Sequence, residues 1–411
     1  MNAAQKIMRR IKSLARVSDE SACLTRTFAS PAMRRANDLV AGWMREAGMK
    51  IREDAVGNLL GHYAARQPDA KILLLGSHLD TVRNAGKFDG PLGVILAIAC
   101  VEQLHRARLR LPFAIEVVGF SDEEGVRFQT TYLGSKAVAG RFDPRDLKCR
   151  DAAGISMAEA IKKFGGNAAK IPSARLEPKK LIGYVEAHIE QGPVLEHKKL
   201  AVCIVTGIAG QTRTRVSFSG QAGHAGTVPM ALRRDALCAA AEFVLAVEKL
   251  AQESAGLVAT VGQIQAAPGA SNVIPGEARL TLDVRHASDV RRRAAVKQLH
   301  QQARAIARRR KAKLDFEHVH EAGAADCCPE LSVLLAGAVG RHQRAVLRLP
   351  SGAGHDAAVM AGITPAAMLF IRCKGGISHH PDESASVKDV RVALDVLNDF
   401  LLDLAKLHEH V

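Results

Sequence analysis

The chain has 411 residues and a formal net charge of +15, and its composition is 47% hydrophobic and 24% charged. That length is enough for two domains, and the composition is typical of a globular protein rather than of a disordered chain. No apolar run approaches the roughly 18 residues that a membrane span requires, so we predict no membrane partner.

The N-terminal residues and the cysteines together predict a cytoplasmic protein. The first ten residues are basic but lack the apolar segment of a secretory signal. Arginines in this region would also suit a transit peptide, but Asp19 and Glu20 come early for one. The eight cysteines form no CxxC pair, and several lie in apolar segments, as free thiols do in a reduced compartment.

From the N-terminus to about residue 204, the apolar pattern predicts alternating helices and strands. Helices are predicted at 32–48 and 92–106, and strands at 71–76 and 113–120. The last three of these elements form a unit of the βαβ type, which predicts an α/β fold with parallel strands.

The middle of the chain follows a different order, β-α-β-β-α-β, which is the pattern of a ferredoxin-like domain. We predict that residues 208–325 are such a domain, inserted into a catalytic domain made of residues 1–207 and 326–411. Its predicted elements are a strand at 213–219, a helix at 229–250, strands at 257–264 and 278–285, a helix at 289–310 and a strand at 313–320. The elements predicted after it are helices at 330–343, near 354–361 and at 387–408, and strands at 345–349 and 365–371.

Much of the positive charge lies in two runs, 291–297 and 308–313, that flank part of the predicted helix at 289–310. Such runs form either the solvated face of a helix or a patch for nucleic acid. No aromatic residues are interleaved with these cations, and no nucleic-acid-binding motif is present. We therefore predict a solvated face and no nucleic-acid partner.

Histidines and acids stand where several apolar runs end. His78 and Asp80 follow the strand at 71–76, and their spacing puts them on one side of an extended chain. A carboxylate near a ligating imidazole usually orients its second ring nitrogen, a role that suits Asp80, and Asp89 is a further carboxylate close by. An ordinary polar strand end would have the same local sequence.

Three further segments favour a metal centre over that alternative. They carry Asp122, Glu123 and Glu124 after the strand at 113–120, His188 within 184–192, and His379 and His380 within 376–381. Histidines and carboxylates from separate strand ends are the mixed ligand set of a hydrolytic metal site. One Asp that bridges two ions would make it a two-metal site.

These residues give the chain a resemblance to the M20 family of metallo-amidohydrolases, and within it to the hydantoinase/carbamoylase branch. That branch includes N-carbamoyl-L-amino acid hydrolases, β-ureidopropionases and allantoate amidohydrolases. The resemblance covers nearly the whole chain. It rests on GSHLDTV at 76–82, FDG at 88–90, EEGVRF at 123–128, GS at 134–135, HIEQGP at 188–193, GHAGTVP at 223–229, NVIPG at 272–276, DVR at 283–285, SGAGHD at 351–356 and GISH at 376–379.

The resemblance implies a catalytic domain like that of the zinc aminopeptidases, with the inserted ferredoxin-like domain as a lid or dimerisation domain. It also implies two divalent ions per subunit, which could be zinc, manganese, cobalt or nickel. The implied metal ligands are His78, Asp89 as the bridge, Glu124, His188 and His379. His379 is preferred to His380 because the family motif places the histidine directly after Ser378.

Other residues receive roles from the same resemblance. Glu123 is implied as the general base and Asp80 as the carboxylate that orients a ligand, whereas Asp122 is expected to be a solvated turn residue. Gln211, Asn272 and Arg285 are implied to hold the substrate, since an Arg fork matches a carboxylate. His224 is implied to stabilise the oxyanion, from the partner subunit of a homodimer. His355 and Asp356 would either line the pocket or stabilise their loop.

The function so implied is hydrolysis of a small ureido acid, an N-carbamoyl-L-amino acid or a relative of one, to ammonia, CO2 and an amino acid. Within the same branch, allantoate amidohydrolase and β-ureidopropionase are alternatives. Within the same fold, a peptidase or an N-acyl-amino acid deacylase is another, although the HIEQGP and EEGVRF segments favour the carbamoylase branch. A binding protein that has lost its metal is disfavoured because every expected ligand and Glu123 are present.

Overall fold

A computed structural model describes residues 2–409 of the chain, which fold into two compact units. Within these residues, the first unit comprises 2–206, Cys327–Leu349 and 355–409, and the second comprises Gly207–Asp326 and Pro350–Gly354. The second unit therefore interrupts the first in sequence. The segment Pro350–Gly354 differs from our prediction, which assigned it to the catalytic domain.

The N-terminal part of the first unit alternates helices and strands. Local signals start its helices: Ser30 caps α2 by accepting a hydrogen bond from the Met33 amide, and Gly90, at φ 78°, precedes Pro91 at the start of α3. The helices are α1 (Ala3–Leu14), α2 (Pro31–Glu46), α3 (Pro91–Arg106), α4 (Leu133–Val138), α5 (Met157–Phe164) and α6 (Val194–Lys198). The strands are β1 (Lys50–Glu53), β2 (Leu59–Tyr63), β3 (Ile72–His78), β4 (Ala114–Phe120), β5 (Leu181–Ile189) and β6 (Val202–Ile208).

The second unit has the predicted β-α-β-β-α-β topology. Its four-stranded sheet has the order β12-β7-β11-β9, and every pair of neighbours is antiparallel, as in a ferredoxin-like domain. The elements are β7 (Gly210–Ser219), β8 (Gly223–His224), α7 (Ala236–Glu253), β9 (Val258–Ala267), β10 (Val273–Ile274), β11 (Glu277–His286), α8 (Asp289–Arg309), β12 (Lys313–Ala322) and β13 (Ala325–Asp326).

Two features of this unit correct the sequence predictions. Helix α7 begins at Ala236 rather than at Pro229, because Asp235 accepts a hydrogen bond from the Cys238 amide and so caps the helix there. Arg292 lies on α8 within the run predicted to be solvated, yet its side chain is fully buried. It donates hydrogen bonds to the Gln211 carbonyl oxygen at 3.1 Å and to a Glu321 carboxylate oxygen at 2.9 Å.

The chain then returns to the first unit. The remaining elements of the chain are α9 (Pro329–His342), β14 (Arg348–Ser351), α10 (Asp356–Met360), β15 (Ala366–Ile371) and α11 (Val387–His408), and the last two residues of β14 belong to the second unit. Buried apolar side chains of α1, α2, α3, α9 and α11 form one cluster with the sheet of this unit. Within residues 2–409, no helix combines the length and the apolar character needed to cross a membrane.

The sheet of the first unit places the predicted metal ligands. Its strands follow the order β1-β2-β4-β3-β5-β15-β6, and the central strands β4, β3, β5 and β15 run parallel. These four are almost entirely buried, as parallel strands covered on both faces are. Because parallel strands end at the same edge, the segments that leave their carboxyl ends converge there.

Candidate metal centre

The first group of converging residues consists of His78 from β3, Asp89 from the segment before α3, and His188 from β5. All three are buried. The Nε2 atoms of His78 and His188 lie 3.5 and 3.0 Å from Asp89 Oδ1. One ligand atom from each residue therefore falls in a space small enough for a single ion.

The second ring nitrogen of each histidine is already engaged. His78 Nδ1 lies 3.1 Å from the carbonyl oxygen of Asp80 and 3.3 Å from Asp80 Oδ1, and His188 Nδ1 lies 2.9 Å from the carbonyl oxygen of Ile189. Since carbonyl oxygens only accept, each Nδ1 carries the proton and each Nε2 presents a lone pair in the neutral ring. His188 Nε2 faces Asp89 Oδ1 without making a hydrogen bond. Three electron-rich atoms facing one another in a buried space fit a cation, with both rings held as ligating histidines usually are.

The second group shares Asp89. His379 Nε2 lies 3.1 Å from Asp89 Oδ2 and 3.5 Å from Glu124 Oε1, so this group meets the other oxygen of the same carboxylate. Gln191 Nε2 also donates a hydrogen bond to Asp89 Oδ2, at 2.8 Å. His380 instead lies against Asp382 and belongs to neither group. One carboxylate with an oxygen in each of two ligand groups is the geometry of a bridged two-ion site.

The ionisation of these residues shows that the site attracts positive charge. Burial opposes protonation of His188, but Asp89 raises its pKa. A hydrogen bond with Asp89 raises the pKa of His379 to about 9. Burial and the neighbouring Asp89 raise the pKa of Glu124 to about 7. The carboxylates that raise these pKa values favour a bound divalent cation for the same reason.

Glu123 lies beside the first group, with a carboxylate oxygen close to ligand atoms of His78 and Glu124. Burial and the charge of Glu124 raise its pKa well above the ordinary value. The two carboxylate oxygens of Asp80 accept hydrogen bonds from the main-chain amides of Glu123 and Glu124, at 3.0 and 3.1 Å. Asp80 therefore fixes two neighbouring acids as well as His78.

The backbone between His78 and Thr81 is held by a buried arginine. The Arg26 side chain is fully buried, and its Nε donates to the carbonyl oxygen of Leu79 at 2.6 Å. Its main-chain amide donates to Thr81 Oγ1, and the Thr81 amide donates to the Arg26 carbonyl oxygen, both at 2.9 Å. Burial lowers the pKa of Arg26 to about 10, although Asp80 opposes this shift.

Several buried polar residues near the site were misjudged or missed from sequence. Asp122 is buried, contrary to our expectation of a solvated turn, and burial and Asp80 raise its pKa. Glu186 accepts hydrogen bonds from Ser77 Oγ at 2.6 Å and from the Ala357 amide at 3.0 Å. Its position two residues before His188 on β5 puts both on one face of the strand, a signal that the sequence contained.

His355 and Asp356 are also buried in this unit, at the start of α10. The ring of His355 packs edge-to-face on that of His188, with centroids 4.5 Å apart, and also contacts the ring of Phe370. Of the two roles we considered for His355, the packing on a predicted ligand favours one inside the site.

In the second unit, Gln211 and Arg285 are directly opposite each other on β7 and β11. Both bind the carboxylate of Asp283. Arg285 Nε and Nη2 donate to its two oxygens at 2.9 and 3.1 Å, and Gln211 Nε2 makes a short contact to Oδ2. Arg285 Nη1 donates to the carbonyl oxygen of Gly352 at 2.7 Å. An in-chain carboxylate therefore occupies one side of the predicted substrate clamp.

His224 and Asn272 lie together at another place in the second unit. His224 pairs with Val273 in the two-stranded ribbon of β8 and β10, and the Ala225 amide donates to the Asn272 carbonyl oxygen at 2.9 Å. Both side chains are exposed. Their predicted roles in substrate binding stay predictions.

Comparisons with known proteins give this geometry a context. The profile of peptidase family M20/M25/M40 matches residues 74–403. Allantoate deiminase 1 of Glycine max is 42% identical, covering 96% of this chain and 88% of that protein. N-carbamoyl-L-amino acid amidohydrolase of Geobacillus stearothermophilus is 40% identical, covering 99% and 100%.

Solved structures agree with the sequence comparison. An amidase of the hydantoinase/carbamoylase family from Burkholderia multivorans has a TM-score of 0.93 at 30% identity, over 98% of each chain. These findings confirm the predicted fold class and the predicted resemblance. The chain belongs to peptidase family M20/M25/M40.

Proposed function

We propose that the protein is a binuclear metal-dependent amidohydrolase that cleaves the carbamoyl C–N bond of an N-carbamoyl-L-amino acid or a related ureido acid. The observation that carries this proposal is the Asp89 carboxylate, which presents one oxygen to His78 and His188 and the other to His379. Relatives named as N-carbamoyl-L-amino acid amidohydrolases and allantoate deiminases support the choice of a ureido substrate.

The ligands in this proposal are His78, Asp89 and His188 for one ion, and Asp89, Glu124 and His379 for the other. Zinc, manganese, cobalt and nickel all suit this mixture of imidazole and carboxylate. When bound, divalent ions supply Lewis acidity, which polarises a carbonyl group and makes water more acidic.

The chain's own residues supply the proton transfers. Glu123 accepts a proton from the water that attacks the carbamoyl carbon and passes it to the departing nitrogen, for which a raised carboxyl pKa is suited. Asp80 holds the main chain of Glu123 and thereby its position. One water is consumed per ureido group, and the products are an amino acid, ammonia and CO2.

Residues of the second unit bind the substrate in this proposal. Arg285 and Gln211 hold the substrate's carboxylate, and Asp283 orients the Arg285 fork. Asn272, which lies beside His224, contacts the substrate together with that histidine. His224 donates a hydrogen bond to the oxyanion of the tetrahedral intermediate.

We also propose that the protein is a homodimer joined through the second unit. Strand β9 is an edge of its sheet, since it pairs only with β11 among the described strands. Val258 and Ile264 on β9 and Leu245 on α7 are large exposed apolar residues beside that edge. An open edge flanked by apolar side chains favours pairing with a second copy.

In this dimer His224 serves the active site of the other subunit. Mixing equal amounts of inactive His224→Ala and inactive Glu123→Gln chains should then restore about a quarter of wild-type activity. About half of the dimers are mixed, and one of the two sites in each mixed C2 dimer has neither lesion. Subunit exchange verified by mass spectrometry without recovered activity would exclude the trans role.

Allantoate is a second candidate substrate, since an allantoate deiminase is as similar to this chain as a carbamoylase is. A ureido β-amino acid, a dipeptide and an N-acetyl amino acid represent the remaining alternatives. Ammonia and amine release should be measured for all five substrate classes with zinc, manganese, cobalt or nickel added in turn. Release of ammonia from a ureido acid supports the proposal, whereas cleavage of the dipeptide or the N-acetyl amino acid alone would refute it.

The eight free thiols support a location in the reduced cytoplasm.

A further inference from the structure

A buried glutamate connects the two segments that carry Asp89 and His379. Glu383 lies between β15 and α11, and only 1% of its surface is exposed. Its Oε1 accepts hydrogen bonds from the main-chain amides of Phe88 and Asp89, at 2.7 and 3.1 Å. Its Oε2 lies 3.1 Å from the hydroxyl of Ser378, the residue before His379.

The same serine contacts the bridging carboxylate directly. Ser378 Oγ lies 2.7 Å from Asp89 Oδ2, so its hydroxyl stands between the carboxylates of Asp89 and Glu383. Glu383 therefore binds the main chain of Asp89 on one side and reaches the Asp89 side chain through Ser378 on the other. These contacts fix both the position and the rotation of Asp89.

The main chain at Gly86 passes close to the Glu383 side chain. A Cβ atom at Gly86 would overlap the Glu383 side chain at its Cβ, Cδ and Oε1 atoms. The segment that leads to Asp89 thus approaches Glu383 so closely that position 86 must be glycine. This close approach restricts the conformations open to the Glu383 side chain, as a positioning residue needs.

We propose that Glu383 is a positioning residue of the metal centre and that it acts mainly on the ion held by Asp89, Glu124 and His379. This inference rests on the proposed function. The Glu383 contacts reach two of the three ligands of that ion, Asp89 directly and His379 through the adjacent Ser378. For the ion held by His78, Asp89 and His188, they reach only Asp89.

The test is a calorimetric titration of the metal-stripped protein with Mn2+, which should resolve two binding steps in the wild type. Glu383→Ala should weaken one step by about 10–100-fold, the usual effect of removing a partner that orients a ligand, and change the other much less. Glu383→Gln keeps an oxygen for the two amides but presents an NH2 donor, instead of a carboxylate oxygen, to the Ser378 hydroxyl. It should weaken the same step to a smaller extent.

Asp389→Asn is the matched control. Asp389 is another buried carboxylate of the C-terminal segment, but its partners are Arg372 and Ser386 rather than metal ligands. Its substitution should lower the melting temperature and leave both Mn2+ steps unchanged. A general loss of stability is thereby separated from a selective loss of one ion.

Each outcome decides the inference. Wild-type Mn2+ affinities in Glu383→Ala, or equal weakening of both steps, would overturn it. If both Glu383 variants fail to fold, Ser378→Ala removes only the hydroxyl between the carboxylates and should weaken the same step, and unchanged binding would overturn the inference. A wild-type protein that binds no divalent ion would instead overturn the proposed function.

Discussion

Replacement of Glu123 by glutamine tests the proposed chemistry most directly. The side chain keeps its size, and the main-chain amide at 123 keeps its hydrogen bond to Asp80 Oδ1 at 3.0 Å. The proposed ligands His78, Asp89, Glu124, His188 and His379 are untouched. A glutamine cannot accept the proton of the attacking water, so the variant should bind metal and substrate normally and lose turnover.

The size of the loss follows from the role assigned to the carboxylate. General-base catalysis contributes about 10²–10⁴-fold, which corresponds to roughly 3–5 kcal/mol of transition-state stabilisation. Loss of the Glu123 carboxylate should therefore lower turnover by a factor within that range.

The assay is the initial rate of ammonia release, with metal content per chain measured on the same sample by emission spectroscopy. Asp122→Asn is the matched control, because Asp122 is the adjacent buried acid but belongs to neither ligand group. It should retain far more activity. Turnover of Glu123→Gln within a few-fold of the wild type, at full metal content, would refute the assignment of the base.

Three further changes test other parts of the structure. Arg285→Lys keeps the charge but removes the planar fork, so KM should rise for the ureido acid and much less for its amide, and equal losses for both would make Arg285 purely structural. Gly90→Ala puts a Cβ against the His78 ring, at a residue whose φ of 78° already disfavours a side chain. The metal content of the variant after gel filtration should therefore fall, and full metal content would contradict His78 as a ligand. Burial opposes ionisation of Glu102, but Lys6, Arg10 and Arg106 lower the pKa of its carboxyl below the ordinary 4.5. The carboxylate therefore stabilises the fold above pH 4.5, and this stabilisation is lost as the pH falls through the lowered pKa. The melting temperature of Glu102→Gln should therefore lie below that of the wild type at neutral pH and converge with it in acid. A difference in melting temperature that does not depend on pH would exclude this stabilising role of the Glu102 carboxylate.

The parts of the site that follow strands were accessible from the sequence. His78, Glu123 and Glu124 come directly after apolar runs, and parallel strands bring such ends to one edge of the sheet. Asp89 and His379 belong to longer connecting segments; the sequence marked both as candidates, and the family resemblance assigned them as ligands. The local sequence around Asp89 and His379 could not reveal which of the two ligand groups each residue belongs to.

Burial of polar residues was not legible in the same way. Asp122 was predicted to be a surface acid because acids are rarely buried, yet it is buried, as are Glu186 and Asp356. Arg292 was likewise hidden within a run of exposed arginines. Whether such a residue is buried depends on hydrogen-bond and ion-pair partners that are distant in sequence, and the periodicity of a sequence does not reveal those partners.

The start of α7 shows a similar limit for secondary structure. Apolar periodicity extends back to Pro229, but the cap at Asp235 decides where the helix begins.

The buried guanidinium of Arg26 has a consequence for substitutions at that position. Arg26 touches no predicted ligand side chain, but it holds the backbone between His78 and Thr81 and also donates to the carbonyl oxygens of Leu14 and Val17. A substitution at Arg26 would leave every proposed ligand and the proposed general base in the chain. We expect the melting temperature and the metal affinity to fall together, because three carbonyl oxygens lose their donor and the main chain next to His78 loses its support.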